Sequence, residues 1–244
     1  MNTYLIGIDD TDNLQSRGTG YRARQMGLSL QQAGWGELLG ITRHQLLVHP
    51  DIPYTSHNSS ACLEVKSDKL AGLTSFCRDF LLHESAEGSD AGLCIACLDR
   101  IDEEVMQWGE KARKEVLKKE NAHLLAEKHG IFLQGLTGMR IGVIGSLAAI
   151  GLQKAGNDGR YLWLSGMREL TGIHSVKELL TLLRIESIET KQGIAVSVDD
   201  TIDVGEWFRP IRKNKKITLI VEKNDTDGKS DWKMASKEYI KSVT

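Results

Sequence analysis

Proline, aromatic residues and long apolar runs are all scarce in this 244-residue chain. Only three prolines occur, and two of them, Pro50 and Pro53, sit in one short segment. Stiffening is therefore local, and a proline-rich linker is excluded. No apolar run approaches the ~20 residues that a membrane-spanning helix needs, so no membrane partner is expected. Excess charge is also missing, with 31 basic against 33 acidic residues and a formal net charge of −2. Overall charge thus directs the chain toward neither nucleic acid nor an acidic ligand, and any basic footprint must be local. Of the four cysteines, Cys94 and Cys97 have CxxC spacing, but no second pair completes a zinc site. They lie in the apolar run Gly92–Leu98, where a strand would turn the two thiols to opposite faces and where reduced cysteines serve as core filling. Met1-Asn2-Thr3 leads straight into an apolar run, which predicts a cytoplasmic protein without a signal peptide.

What the chain does have is concentrated near its start. Tyr4–Ile8 is a short apolar run of the kind that forms a buried strand, and Asp9, Asp10 and Asp12 follow where it should end. If the backbone stays extended, Asp10 and Asp12 share one side and Asp9 takes the other. Carboxylates at a strand end need a cation, hydrogen-bond donors or water, and Mg²⁺ takes one or two of them while leaving room for phosphate oxygens. The loop that follows holds Arg17, Gly18, Thr19 and Gly20. Arginine offers a positive fork, the glycines allow close backbone approach to an anion, and a helix beginning near Tyr21 would aim its N-terminus at the same place. The stretch reads as a metal and phosphate site, or as a solvated acidic turn capping the next helix.

Further along, helical spacing covers Tyr21–Ala33, Lys69–His83 and Ile101–Lys119, the last with Val105, Trp108, Ala112 and Val116 inward and a basic outer face interleaved with glutamates. Leu46–Val48, Ala61–Val65, Gly92–Leu98, Gly130–Gly135 and Arg160–Leu164 read as strands. The rigid loop His49–Ser60 offers His49, His57 and Asn58 as phosphate or base contacts. Gly142–Leu152 is apolar or small nearly all round, which predicts a core helix. Gly142 and Gly145 on it admit a ligand or another backbone, and Arg140 just ahead is a second phosphate candidate. The spacing of Gly138, Gly142 and Gly145 is not a dinucleotide fingerprint. After Gly166 the pattern changes to a short helix over Val176–Leu183 and strands over Ile185–Thr190, Ile194–Val198 and Ile217–Val221. Between these lies the basic stretch Arg209–Lys216, a candidate RNA-backbone contact or a solvated hairpin tip. Asn224–Thr244 reads as a frayed polar tail.

Three stretches carry a family resemblance. Gly7–Asp12 with its Gly/Thr loop and Tyr21, His49–Thr55, and Gly142–Gly151 together resemble the archaeal isoleucine-tRNA agmatinylcytidine synthetase family (TiaS), in family order and over roughly residues 1 to 165. That family uses ATP to modify the wobble cytidine of a tRNA with agmatine. The resemblance implies a kinase-like domain in which Thr19 stands where a threonine takes a phosphoryl group. It implies ATP and Mg²⁺ as cofactors, with tRNA or a small agmatine-like amine as partner. Thr55, His57 and Asn58-Ser59-Ser60 replace the family's lysine, arginine and Gly-Asn-Gly, which removes positive charge from this loop. The family's OB-fold and zinc ribbon have no counterpart here, which implies that the tRNA-recognising parts are missing or come from a separate chain.

The expected fold is α/β, a mixed sheet flanked by helices over residues 1–165, then a smaller α+β unit over 166–244, ferredoxin-like if it follows the family's order. The expected activity is ATP- and Mg²⁺-dependent phosphoryl transfer, with Asp9, Asp10 and Asp12 on the metal and Thr19 as the acting hydroxyl. Arg17, Gly18, Gly20, His57, Asn58, Arg140, Gly142 and Gly145 would hold nucleotide. Two alternatives remain at this point: a metal-dependent phosphohydrolase with a nucleophilic aspartate, and a non-catalytic nucleotide- or RNA-binding module.

Overall fold

The computed structural model describes residues 1–53, 58–225 and 228–244. The chain is α/β, with a mixed sheet flanked by helices, and its contacts divide it into two compact units, Met1–Ala155 and Gly156–Thr244. The division falls ahead of residue 165 because the strand Arg160–Trp163 pairs with residue 211 of the second unit.

In the first unit, β1 (Asn2–Asp9) is the central strand, since its apolar run is buried from Tyr4 to Ile8. Helix α1 (Thr19–Gln32) follows, ended by Gly34 at φ 73°, where a left-handed residue closes the last turn. Next come β2 (Glu37–Gln45), β3 (Ser59–Ser67), α2 (Leu70–Glu84) and β4 (Gly92–Cys97). Then come α3 (Glu103–Ala112), α4 (Lys119–Lys128), β5 (Phe132–Gly135) and α5 (Val143–Ala155). The strand order is β5-β4-β1-β3-β2, with each pairing antiparallel. Alternation along the strands sends Cys62 to one face and Leu63 to the other. Cys62, Leu5 and Cys94 pack under α5, which α3 and α4 back, while Leu63 meets Gly27 of α1 on the opposite face.

Two expectations fail in this unit. The strand expected at Leu46–Val48 lies earlier, as β2, because the Leu46 and Leu47 N–H groups leave the ladder and donate to the carbonyls of Asn58 (2.9 Å) and Ala112 (3.0 Å). The helix expected through Lys119 stops at Ala112, where the N–H groups of Lys114 and Glu115 both turn back to the Lys111 carbonyl at 2.8 Å. Val116 is consequently exposed, and α4 starts afresh at Lys119.

The second unit comprises β6 (Arg160–Trp163), β7 (Ile173–Ser175), α6 (Val176–Leu182), β8 (Ser187–Thr190) and β9 (Thr201–Asp203), followed by β10 (Ile211–Lys213), β11 (Lys216–Lys223), β12 (Trp232–Met234) and α7 (Lys237–Ser242). Ser175 and Glu178 form a capping box that starts α6. β11 is the hub, antiparallel to β10 and β12 and parallel to β8. Strands β9 to β12 follow one another with no helix among the described residues, so the order departs from the ferredoxin-like β-α-β-β-α-β plan. Ile194–Val198 contributes only an isolated bridge between Glu189 and Ala195. The described residues of the tail, 224–225 and 228–244, are folded rather than frayed, since Ile240 of α7 is fully buried and Trp232 packs on the main core of the unit.

The close packing of α5 on β1 yields a stability prediction. A Cβ at Gly7 would overlap the Ser146 carbonyl, whereas one at Gly18, which has φ −61°, meets open space. Gly7→Ala should therefore destabilise the protein by about 1–3 kcal/mol and Gly18→Ala should not, as read by thermal unfolding. Equal melting of the two variants would contradict this packing.

Candidate active-site cleft

The described residues place one cleft of about 340 Å³ at the end of β1, within the first unit. Its lining includes Asp9, Asp10, Asp12, Thr19, Asn58, Gly142 and Gly145, so seven of the expected site residues come together. The volume lies in the range of small-molecule sites.

Asp9 is the last residue of β1 and faces α5, and a Cβ on Gly145 would overlap its Oδ2. Gly142 is similarly crowded by the backbone carbonyls of Asp9 and Asp90. The first turn of α5 therefore rests on the strand ends with no side chain between, and the Trp108 indole N–H donates to the Ile144 carbonyl (3.1 Å), tying α3 to the same turn. Asp10 then leaves the strand at φ 52°, a left-handed conformation that aspartate tolerates better than most residues. The extended alternation expected over Asp9–Asp12 ends there.

Asp12 reaches across to the start of α1. The Thr19 N–H donates to Asp12 Oδ1 at 3.0 Å and the Thr19 hydroxyl donates to the same oxygen at 2.8 Å. Thr19 Oγ1 in turn accepts from the Thr11 N–H (3.3 Å) and hydroxyl (3.2 Å). Asp12 is thus both the cap of α1, whose N-cap Gly18 supplies no side chain, and the acceptor for the Thr19 proton. Asn58 lines the wall but spends its amide on the Leu47 carbonyl (2.6 Å).

Electrostatics in the cleft are those of crowded acids. Burial, reinforced by the charges of Asp10 and Asp12, pushes Asp9 up to about 8, although the Asp10 backbone N–H opposes this. Burial, then the charges of Asp90 and Asp12, pushes Asp10 up to about 6. Asp90 escapes sequence reasoning because it sits in a polar loop with no motif around it. Its carboxylate accepts from the Met139 N–H and from the Arg140 N–H (3.2 Å), and its carbonyl accepts from the Gly142 N–H (2.9 Å), so it shapes the loop entering α5.

Four expected nucleotide contacts stand outside this lining. The Arg17 guanidinium lies over the Tyr21 ring, 4.5 Å from its centroid. Gly18 and Gly20 open and begin α1 without facing the cleft. Arg140 is exposed, with φ 62°, and only its neighbours Met139, Ile141 and Gly142 line the wall. His57 lies outside the described residues. The cations that do line the cleft are Lys118 and Lys119, on the connection that helical spacing alone merges into one helix, and Lys119 Nζ donates to the Met139 carbonyl at 2.8 Å. Among the described residues no three His, Cys, Asp or Glu side chains converge as a metal site, and no helix is long and apolar enough to cross a membrane.

A strand-end acid cluster, an adjoining capped hydroxyl and a glycine-faced helix define a candidate phosphate-handling cleft on an α/β fold. The chain is 31% identical over 154 residues to the isoleucine-tRNA 2-agmatinylcytidine synthetase TiaS of Methanosarcina acetivorans, a match covering 60% of this chain and 35% of that protein. It is 28% identical over 155 residues to an uncharacterized protein of Methanocaldococcus jannaschii, covering 62% of this chain and 50% of that one. A crystal structure of TiaS in complex with its isoleucine tRNA and ATP shares the fold at a TM-score of 0.55 and 24% identity, over 62% of this chain and 36% of that one. No family model matches. The chain is TiaS-like over about 60% of its length and spans about a third of the TiaS enzyme it resembles.

The acids have a stability signature. Groups with raised folded values favour the protonated form, so the folded state holds extra protons between the ordinary value of 3.8 and the raised ones of about 6 and about 8. Stability of the metal-free protein should fall as pH rises through that window. Asp9→Asn should flatten the decline in melting temperature between pH 5 and 8 (buffers with chelator), and an undiminished decline would remove Asp9 as its source.

Proposed function

We propose that the first unit is an ATP-dependent phosphoryl-transfer domain of the TiaS type, acting in tRNA modification. The observation that carries this reading is the Asp12–Thr19 pair, a hydroxyl already donating to a carboxylate at 2.8 Å inside the cleft that holds Asp9 and Asp10. Asp9 and Asp10 suit Mg²⁺, because they are hard oxygen donors raised by burial and mutual repulsion, a penalty that a divalent cation removes. Asp12, whose Oδ1 accepts from Thr19, completes the expected set of three through its second oxygen. When bound, the ion would neutralise charge on the transferring phosphate.

The chain's own groups supply the rest. Thr19 Oγ1 attacks the terminal phosphorus, its proton passes to Asp12, and the bond from phosphorus to the nucleotide oxygen breaks so that the nucleotide leaves with the electron pair. Thr11 keeps the Thr19 oxygen aimed through its two hydrogen bonds. Gly142 and Gly145 line the cleft and let the first turn of α5 close on Asp9. Lys118 and Lys119 provide positive charge in the lining. The acceptor by likeness to TiaS is a tRNA cytidine joined to a small amine such as agmatine.

Incubating the chain with Mg²⁺ and γ-labelled ATP tests the reading. Label should appear on the protein with release of nucleotide, and Thr19→Ala and Asp9→Asn should each lower turnover by about 100-fold or more, whereas Arg17→Ala should change it little. Full labelling of Thr19→Ala would remove the proposed nucleophile. ATP binding without turnover by the wild type would favour the non-catalytic module.

A further inference from the structure

The second unit presents a face that the cleft chemistry does not use. Along β11 alternate residues enter different layers, with Leu219 and Val221 in the larger core and Ile220 in a small cluster with Ile211, Ala235 and Ile240. Trp207 and Tyr239 are the half-buried aromatics packed against that small cluster, so both rings sit on one face. Cations attend each ring. The Arg209 guanidinium and the Lys237 ammonium lie 5.6 and 5.9 Å from the Trp207 centroid, and Lys191 lies 5.1 Å from that of Tyr239. Glu222, which alternation places on the same side as Ile220, pairs with Lys191 and, at 3.8 Å, with Lys233.

We propose that this face binds single-stranded RNA, with Trp207 and Tyr239 stacking bases and Arg209, Lys237 and Lys191 meeting the backbone phosphates. Interleaved rings and cations are what an unpaired nucleic-acid strand requires, since every base has a face to stack and every linkage a negative charge. The cation–ring distances lie near the outer limit of about 6 Å for such contacts. A base can therefore displace a cation from the ring, and the released charge finds a phosphate. Duplex RNA offers no stackable base faces, so the surface selects single strands. The rest of the basic stretch, Arg212–Lys216, is the weaker candidate, because it carries no aromatic ring on which a base could stack. Glu206 and Glu238 stand next to Trp207 and Lys237 in the chain and temper the positive field. This inference deepens the proposed role in tRNA modification by naming where RNA is held.

The test is fluorescence anisotropy of a labelled 12-nucleotide oligouridine with the full chain, without ATP or metal. The expected result is saturable binding that weakens as KCl rises, weakens about tenfold in Trp207→Ala, is kept in Trp207→Phe, and weakens further when Lys237→Glu is added. Asp9→Asn should bind RNA like the wild type even where it abolishes phosphoryl transfer, so failure of this inference and failure of the cleft reading are distinguishable. No saturable binding by the wild type at tens of micromolar in 50 mM KCl would overturn the proposal. So would an unchanged curve for Lys237→Glu, which is exposed and leaves the fold intact, or equal ring-dependent binding of polyglutamate, which would mark an acidic protein as the partner.

Discussion

The structure of the first unit depends on one close approach, the first turn of α5 lying directly on the ends of β1 and β4. Backbone meets backbone there because Gly7, Gly92, Gly142 and Gly145 supply no side chain to hold the elements apart. The consequence is electrostatic as well as steric. Asp9 is pressed between the helix and the strand edge, half-buried, and cannot swing into solvent to escape Asp10 and Asp12. An acidic turn at the rim of a sheet would ordinarily be hydrated and of little consequence, but under a packed helix it becomes a cluster that needs a counter-charge.

The same approach explains the division of labour among the three aspartates. Asp9 belongs to the strand and inherits its burial. Asp10 is forced into the left-handed region by the turn, and the charge it feels most is that of Asp90. Asp12, one step further out, is free of the strand and instead caps α1 through Thr19. Capping and catalysis are therefore not competing descriptions of Asp12. The carboxylate that satisfies the helix start is the one that orients the hydroxyl, so the local folding requirement and the proposed chemistry use the same hydrogen bonds.

Much of this arrangement was legible in the sequence. The apolar run before the acids, the core helix at 143–155 and the two cysteine environments follow from burial patterns that leave few alternatives. Asp9, Asp10, Asp12 and Thr19 were readable together because an apolar strand runs straight into a helix start, whereas the resemblance to TiaS, not any pattern in the residues, set Asn58, Gly142 and Gly145 beside them. What was not readable depended on side-chain direction and on turns without glycine or proline. Arg17 has the right position but finds a better partner in the Tyr21 ring. The break between α3 and α4 falls in Arg113–Lys118, which has no glycine or proline to mark it, and the Leu47 N–H takes the Ala112 carbonyl where the helix ends. Lys118 and Lys119 were hidden by that same run. The C-terminal segment looked too polar to fold, yet Trp232 and Ile240 are enough to anchor it.

The charges that line the cleft also bear on what the second unit is for. Against Lys118 and Lys119 stand Asp9, Asp10, Asp12, Asp51, Glu115 and Glu120, so the cleft repels a polyanion unless cations accompany it. A nucleotide arriving with its divalent ion meets that condition, but an RNA strand does not. If the substrate is RNA, its attraction has to come from elsewhere in the chain or from a partner, and the cleft needs to contact only the reacting nucleotide. The cation-bearing aromatic face of the second unit has the opposite character, suited to length rather than to one site. If both proposals hold, local chemistry and RNA affinity are set by different residues, so that either can change without the other.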